Sequence, residues 1–248
     1  MKYTVITGAS SGIGYESALA FAKKGKNLIL VARRKDRLES LKSLINELYK
    51  DLDVVLTVSD LSNPKQAYDL YNSLKSYEIE TWINNAGLGD SSQVIQENLD
   101  KIENMLKVNI ESLTILSTLY AKDYADYEGA QLINVSSAMG YMVALGSVVY
   151  SATKYYVSAF TEGLANELIN NKISVKVLAP AVTETEFINK SLNVTEFDYK
   201  AGVSNYHSAK EMAEFMITLY ESDKVIGIVN EKYEFNLLDG IYPILRGL

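Results

Sequence analysis

The chain contains no cysteine. That absence removes disulfides, thiolate nucleophiles, iron–sulfur clusters and cysteine zinc sites together, and it agrees with a reducing cytoplasm. Proline is scarce, with three in 248 residues, and only Pro180 stands where a functional reading offers itself. The one histidine, His207, falls in an expected loop and reads as a surface or structural residue. No block of basic residues interrupts a net charge of −7, which argues against a nucleic-acid partner. No apolar run approaches the ~18–20 residues needed to cross a bilayer. Met1 to Ile6 leads straight into an expected strand, without the charged start, apolar stretch and cleavage site of a leader. The expectation is a soluble cytoplasmic protein that binds neither nucleic acid nor membrane.

What is present is a regular alternation. Short apolar runs at Tyr3 to Thr7, Asn27 to Ala32, Asp53 to Val58, Thr81 to Asn84, Gln131 to Val135, Ser174 to Leu178 and Ile226 to Val229 read as strands. Helical spacing occupies Gly12 to Lys24, Asp36 to Tyr49, Asn98 to Tyr120, Val149 to Asn170 and Ala209 to Tyr220. Leu38, Leu41, Leu44, Ile45 and Leu48 form a stripe at that spacing. Asn27 to Ala32 is almost uninterrupted in its apolar character, as strands covered on both faces are. The alternation predicts an α/β fold with a doubly wound parallel sheet, Rossmann-like, as a single domain over residues 1–248. A chain of this size buries roughly 70–75% of its unfolded surface and needs no staple.

Between the first strand and the first helix lies Thr7-Gly8-Ala9-Ser10-Ser11-Gly12-Ile13-Gly14. Gly8, Gly12 and Gly14 let the backbone turn tightly and approach a diphosphate, with Ser10 and Ile13 on the same loop and the helix N-terminus supplying free N–H groups. The Lys-Ser/Thr ending of a triphosphate loop is missing. At the end of the second strand, where an acid would receive the ribose hydroxyls of NAD, the chain has Ala32 followed by Arg33 and Arg34. Two guanidiniums suit a 2′-phosphate and favour NADP(H) over NAD(H). The alternative is that they only pair with Asp36 and Glu39 of the next helix.

Tyr150 and Lys154 stand four apart in Tyr-Ser-Ala-Thr-Lys, so on a helix the phenol and the ammonium share one face. A free phenol has a pKa near ~10, and a neighbouring cation favours its ionised form. Such a pair makes a general acid/base suited to neutral pH. Tyrosine and lysine also fall four apart by chance on many helices, so the pair gains meaning only from its context.

Taken together, these residues are similar to the short-chain dehydrogenase/reductase family in its compact one-domain branch, over nearly the whole chain. The glycine loop, Asp60-Leu61, Asn84-Asn85-Ala86-Gly87, Val108-Asn109, Ser137 and the Tyr150/Lys154 pair occur in the family's order, with Ser137 thirteen residues before Tyr150. The resemblance implies that Asp60 and Leu61 contact adenine and that Asn85, Ala86 and Gly87 flank the ribose. It implies that Tyr150 exchanges a proton with the substrate oxygen while Ser137 holds that oxygen. Lys154 would bind the nicotinamide ribose and keep the Tyr150 pKa low, and Asn109 would hold a water in a proton relay. No metal is called for. The family's Pro-Gly is here Pro180-Ala181, and Thr183 and Thr185 after it would bind the nicotinamide carboxamide. Ser136 beside Ser137 reads as a backbone-capping residue.

Residues 186–207 show little regular pattern and are expected either to fold over the substrate as a lid or to pack down as a surface excursion. Met139, Tyr141, Met142, Val143, Leu145 and Leu88 line the cleft and imply a partly apolar carbonyl or alcohol substrate, or else belong to core and subunit contacts. The family also implies a homodimer or homotetramer built on the helices from Asn98 and Val149. The expected activity is NADP(H)-dependent interconversion of a carbonyl and an alcohol. A non-catalytic NADP(H)-binding sensor of the same fold is the alternative. A sugar-nucleotide epimerase would need a larger carboxy-terminal domain.

Overall fold

The computed structural model describes residues 1–245. The chain runs β1 (Lys2–Thr7), α1 (Gly12–Lys23), β2 (Asn27–Ala32), α2 (Lys35–Leu48), β3 (Val54–Val58), α3 (Pro64–Ser73) and β4 (Glu78–Asn84). It continues through α4 (Leu99–Leu106), a π-helical turn (Lys107–Ser112), α5 (Leu113–Tyr124), β5 (Gln131–Val135), α6 (Val148–Glu167) and β6 (Ser174–Ala179). The last part holds β7 (Thr183–Glu184), α7 (Glu186–Leu192), α8 (Tyr199–Gly202), β8 (His207–Ser208), α9 (Ala209–Glu221), β9 (Ile226–Val229) and β10 (Phe235–Leu238).

Eight strands form one sheet in the order β10-β9-β6-β5-β4-β1-β2-β3, parallel except for β10. The order reverses between β1 and β4, which is where ligands settle in doubly wound sheets. Ala18, Phe21, Leu38, Leu41, Ile45 and Met216 cover one face of the sheet from α1, α2 and α9. Ala67, Leu70, Leu116 and Tyr120 cover the other from α3 and α5. Each fully buried leucine or isoleucine of the α2 stripe adds about 1.5–3 kcal/mol of burial. Leu48, at the end of that stripe, is exposed.

A buried polar chain fixes the helices that carry the site. Asn84 Nδ2 donates to Asn134 Oδ1 at 2.9 Å and to Ser117 Oγ at 3.0 Å. Asn134 Nδ2 donates in turn to Thr161 Oγ1 on α6 at 3.0 Å. Every link has a partner, and such a network specifies one docking of α5 and α6 on the sheet.

Four parts of the structure depart from the sequence expectations, the first being β10, an antiparallel edge strand where no strand was expected. Helix α3 forms where no element was expected, with Asn63 Oδ1 capping Lys65 N and Pro64 at its first position. Residues 186–207 are more ordered than their irregular pattern predicts, since Thr185 caps α7 and Asp198 caps α8. His207 lies not in a loop but in β8, paired with Thr183 of β7. Among the described residues no helix is long and apolar enough to cross a membrane, and no three His, Asp or Glu side chains cluster to hold a metal.

Candidate active site

At the carboxy-terminal edge of the sheet, over the β1/β4 reversal, lies a cavity of about 540 Å³. The glycine loop forms its floor. Gly8 and Gly12 hold φ of +69° and +57°, a region that side chains disfavour. At Gly14 a Cβ would stand 2.6 Å from Gly8 O, so the loop closes only without one. Thr7 ties this loop to the end of β4, its Oγ1 accepting from Asn85 N and Ala86 N at 3.0 Å each. Asn85 Nδ2 donates back to Thr7 O at 2.9 Å. The side chain of Asn85 therefore braces the loop, and Gly87 beside it faces the cavity.

The rim holds the two arginines. Arg34 donates to Ser10 Oγ from Nε and Nη2 at 3.2 and 3.0 Å and to Ser11 Oγ at 2.7 Å. Arg33 is exposed and lies 3.8 Å from Asp60. The ion-pair partners of these arginines are thus Asp60 and Glu186 rather than Asp36 or Glu39, and both guanidiniums border the cavity. Asp60 also accepts from Ser62 N and Oγ, which folds the chain after β3 and leaves Leu61 buried.

The opposite wall brings together Ser137, Tyr150 and Lys154. Helix α6 carries the last two on one face, and Ser137 caps the short turn that follows β5. Ser136 Oγ donates instead to the Lys154 carbonyl at 2.9 Å and shares a 2.7 Å bond with Ser158, so it anchors α6. Lys154 Nζ donates to Val135 O at 2.9 Å and sits 5.8 Å from the centre of the Tyr150 ring. Burial pushes Tyr150 up to about 12, with the Ser137 hydroxyl pulling the other way. Burial also pushes Lys154 down to about 8. Desolvation dominates both shifts, while the ammonium donates to the Val135 carbonyl and makes no hydrogen bond to the phenol.

Asn109 is fully buried in the π-helical turn. Its amide is committed: Oδ1 accepts from Leu88 N at 2.8 Å, while Nδ2 donates to Leu88 O at 2.8 Å and to Thr153 Oγ1 at 3.0 Å. The side chain splices the turn after β4 to α6. π-Turns of this kind recur at functional positions.

Pro180, Thr183 and Thr185 close the cavity from the β6 side. Ala181 is absent from the residues with positive φ, so alanine replaces the family's glycine at no conformational cost. Thr185 Oγ1 is used to cap Phe187 N at 3.2 Å, and the Tyr199 hydroxyl bonds the Thr185 backbone. Phe187 lies 5.6 Å from the Tyr150 ring, and Met139 and Met142 extend an apolar wall. Asn230, Glu231 and Tyr233 also line the cavity, on the β9–β10 turn. Sequence reading passed over them, although the Asn230-to-Glu234 stretch of polar turn residues between two apolar strands was a usable signal.

A doubly wound sheet with a glycine turn at its reversal defines a Rossmann-like nucleotide-binding fold. Residues 2–196 match the short chain dehydrogenase family, and the chain belongs to it. An uncharacterized oxidoreductase of Staphylococcus saprophyticus is 32% identical over 212 residues, which cover 83% of this chain and 82% of that one. A very-long-chain 3-oxoacyl-CoA reductase of Caenorhabditis elegans is 28% identical, over 99% of this chain and 77% of its own. Among solved structures, a short-chain dehydrogenase from Sphingobium yanoikuyae in complex with NADPH superposes with a TM-score of 0.85 at 28% identity, covering 92% of this chain and 87% of that one. A bulky-bulky ketone specific alcohol dehydrogenase from Comamonas testosteroni gives 0.80 at 28% identity, covering 92% and 86%.

Proposed function

We propose that this protein is an NADP(H)-dependent oxidoreductase that interconverts a carbonyl and an alcohol, with Tyr150 as general acid/base. The observation that carries the reading is the convergence of Ser137, Tyr150 and Lys154 on one wall of a cavity whose floor is the glycine loop.

The residues fit a dinucleotide. Gly8, Gly12 and Gly14 leave the loop bare enough for close approach of a diphosphate, and α1 presents its N-terminus there. Arg33 and Arg34 supply planar donors for a 2′-phosphate. Asp60, Leu61, Asn85, Ala86 and Gly87 flank the path between rim and wall, and Pro180, Thr183 and Thr185 bound its far end. The nicotinamide supplies the hydride when bound.

The chain's own residues handle the proton and the substrate. The Tyr150 phenol, protonated at neutral pH with its pKa at about 12, donates to a carbonyl oxygen held by Ser137. Lys154 at about 8 remains an ammonium at pH 7 and stabilises the phenolate left behind. Two of its three donors have no partner among the described residues and face the cavity. Phe187, Met139 and Met142 favour a substrate with a sizeable apolar part and exclude water from the reacting oxygen. Exposed Leu99, Leu106, Val148 and Tyr156 on α4 and α6 support assembly into a homodimer or homotetramer through those helices.

The test is a fluorescence titration with NADPH and NADH, followed by a panel of ketones, aldehydes and diketones. Tighter NADPH binding with oxidation of NADPH by any carbonyl supports the reading. Binding without turnover across a broad panel favours the sensor alternative, and binding of neither cofactor overturns the assignment of the glycine loop.

A further inference from the structure

Arg34 is shared between two parts of the chain. While Nε and Nη2 hold Ser10 and Ser11 of the glycine loop, Nη1 pairs with Glu186 Oε2 at 2.8 Å, across 152 residues of sequence. The second oxygen of Glu186 is bound by Arg37, and Lys190 one turn along α7 lies 3.3 Å from Oε2. Hydrogen bonds from Arg34 and Arg37 hold the carboxyl at about 2, so it is ionised at every physiological pH. Glu186 follows Thr185, whose Cγ2 lies 3.0 Å from where a Cβ on Gly12 would be. The root of α7 thus rests on the glycine loop at the same place where its carboxylate grips the arginine.

We propose that Glu186 is a specificity-determining residue, an internal anion that competes with the cofactor's 2′-phosphate for Arg34. It lowers affinity for NADPH while leaving NADH almost untouched, and it links the root of α7 to which cofactor binds. The inference rests on the NADP(H) reading given above. A guanidinium offers five donors in a fixed fork, and Arg34 already makes four hydrogen bonds, two to Ser10 and one each to Ser11 and Glu186. A phosphate on the same fork meets the carboxylate as a like charge, whereas the ribose hydroxyl of NADH meets no such competitor.

The experiment is a matrix of dissociation constants for NADPH and NADH, read by fluorescence on the full chain. The proteins are wild type, Glu186→Gln, Glu184→Gln, Arg34→Ala and the Arg34→Ala/Glu186→Gln double variant. Glu186→Gln should tighten NADPH about three- to fivefold and change NADH less than about 1.5-fold, the scale of one favourable, partly exposed ion pair. Glu184 stands two residues back, outside the arginine cluster, and its substitution should leave the NADPH:NADH ratio nearly constant. In the Arg34→Ala background the Glu186→Gln effect should vanish. An unchanged or lowered ratio in Glu186→Gln overturns the inference. So does an equal gain in Glu184→Gln, or a gain that persists without Arg34, since either would be a general effect of charge. If wild type prefers NADPH, Arg34→Ala abolishes that preference and Glu186→Gln is flat, the cofactor reading stands and the inference falls. If wild type shows no preference and Arg34→Ala changes nothing, both fall together.

Discussion

Two lysines are buried among the described residues, and they teach opposite lessons. Lys154 and Lys176 are 4% and 3% exposed, and burial pushes each down to about 8. Lys176 on β6 donates to the carbonyls of Leu219, Tyr220 and Ser222 at 3.0, 2.9 and 2.7 Å. All three of its donors are used, and they close the end of α9, where a cation also suits the helix dipole. Lys154 has only the Val135 carbonyl, and the rest of its ammonium faces the cavity beside Gly87 and Tyr150. Equal burial and an equal shift therefore do not distinguish chemistry from architecture. The distinction lies in how many donors the protein has already satisfied.

The largest effect expected from this contrast is on turnover. Lys154→Met should lower the rate with any accepted carbonyl by about 10²-fold or more, the scale of general acid/base support, while thermal unfolding moves little. Steady-state kinetics and a melting curve on the same sample check both halves. Lys176→Met should do the reverse. Three carbonyls at the end of α9 lose their donor, costing about 2–3 kcal/mol in a denaturant titration, with turnover per folded molecule unchanged. A variant pair that exchanged these outcomes would break the comparison.

A smaller effect concerns the rim. Arg34 is seated on Ser10 and Ser11, whereas Arg33 is exposed and loosely paired. Arg34→Ala should weaken NADPH about tenfold relative to NADH, and Arg33→Ala should do so less, because a charge-assisted contact gains from being held in place. Competition binding with the two cofactors reads the ratio directly.

The smallest expected effect is in the pH dependence of stability. A lysine whose folded pKa is about 8 against a usual 10.5 binds fewer protons folded than unfolded between those values. Stability should therefore rise as pH climbs from 8 toward 10. Lys176→Met should flatten that rise by about 1 kcal/mol between pH 8 and about 9, measured as the slope of denaturant midpoints with pH.

The same contrast shows what the sequence could and could not convey. Local chemistry was legible. The apolar run Asn27 to Ala32 is a buried strand at those bounds, and the glycine spacing of Gly8, Gly12 and Gly14 marks a turn that excludes side chains. Tyr150 and Lys154 share a helix face because a helix repeats near four. Helix α3 was legible but overlooked, since Asn63-Pro64 places a cap before proline at the first helical position. Pairings across long stretches of chain were not legible. Nothing in the order of residues announces that Glu186 meets Arg34, or that the Asn109 amide is taken up by Leu88 and Thr153. The state of Tyr150 was not legible either, because desolvation depends on elements that only the folded chain brings together.

The most direct test of the central claim is a single-turnover measurement on Tyr150→Phe preloaded with NADPH. The phenyl ring keeps the packing against Phe187 and removes the hydroxyl, with its exchangeable proton and its bond to Ser137. NADPH should bind as it does to wild type, with oxidation by an accepted carbonyl slowed about 10²- to 10⁴-fold. Oxidation at the wild-type rate in that variant would contradict a general acid/base role for Tyr150.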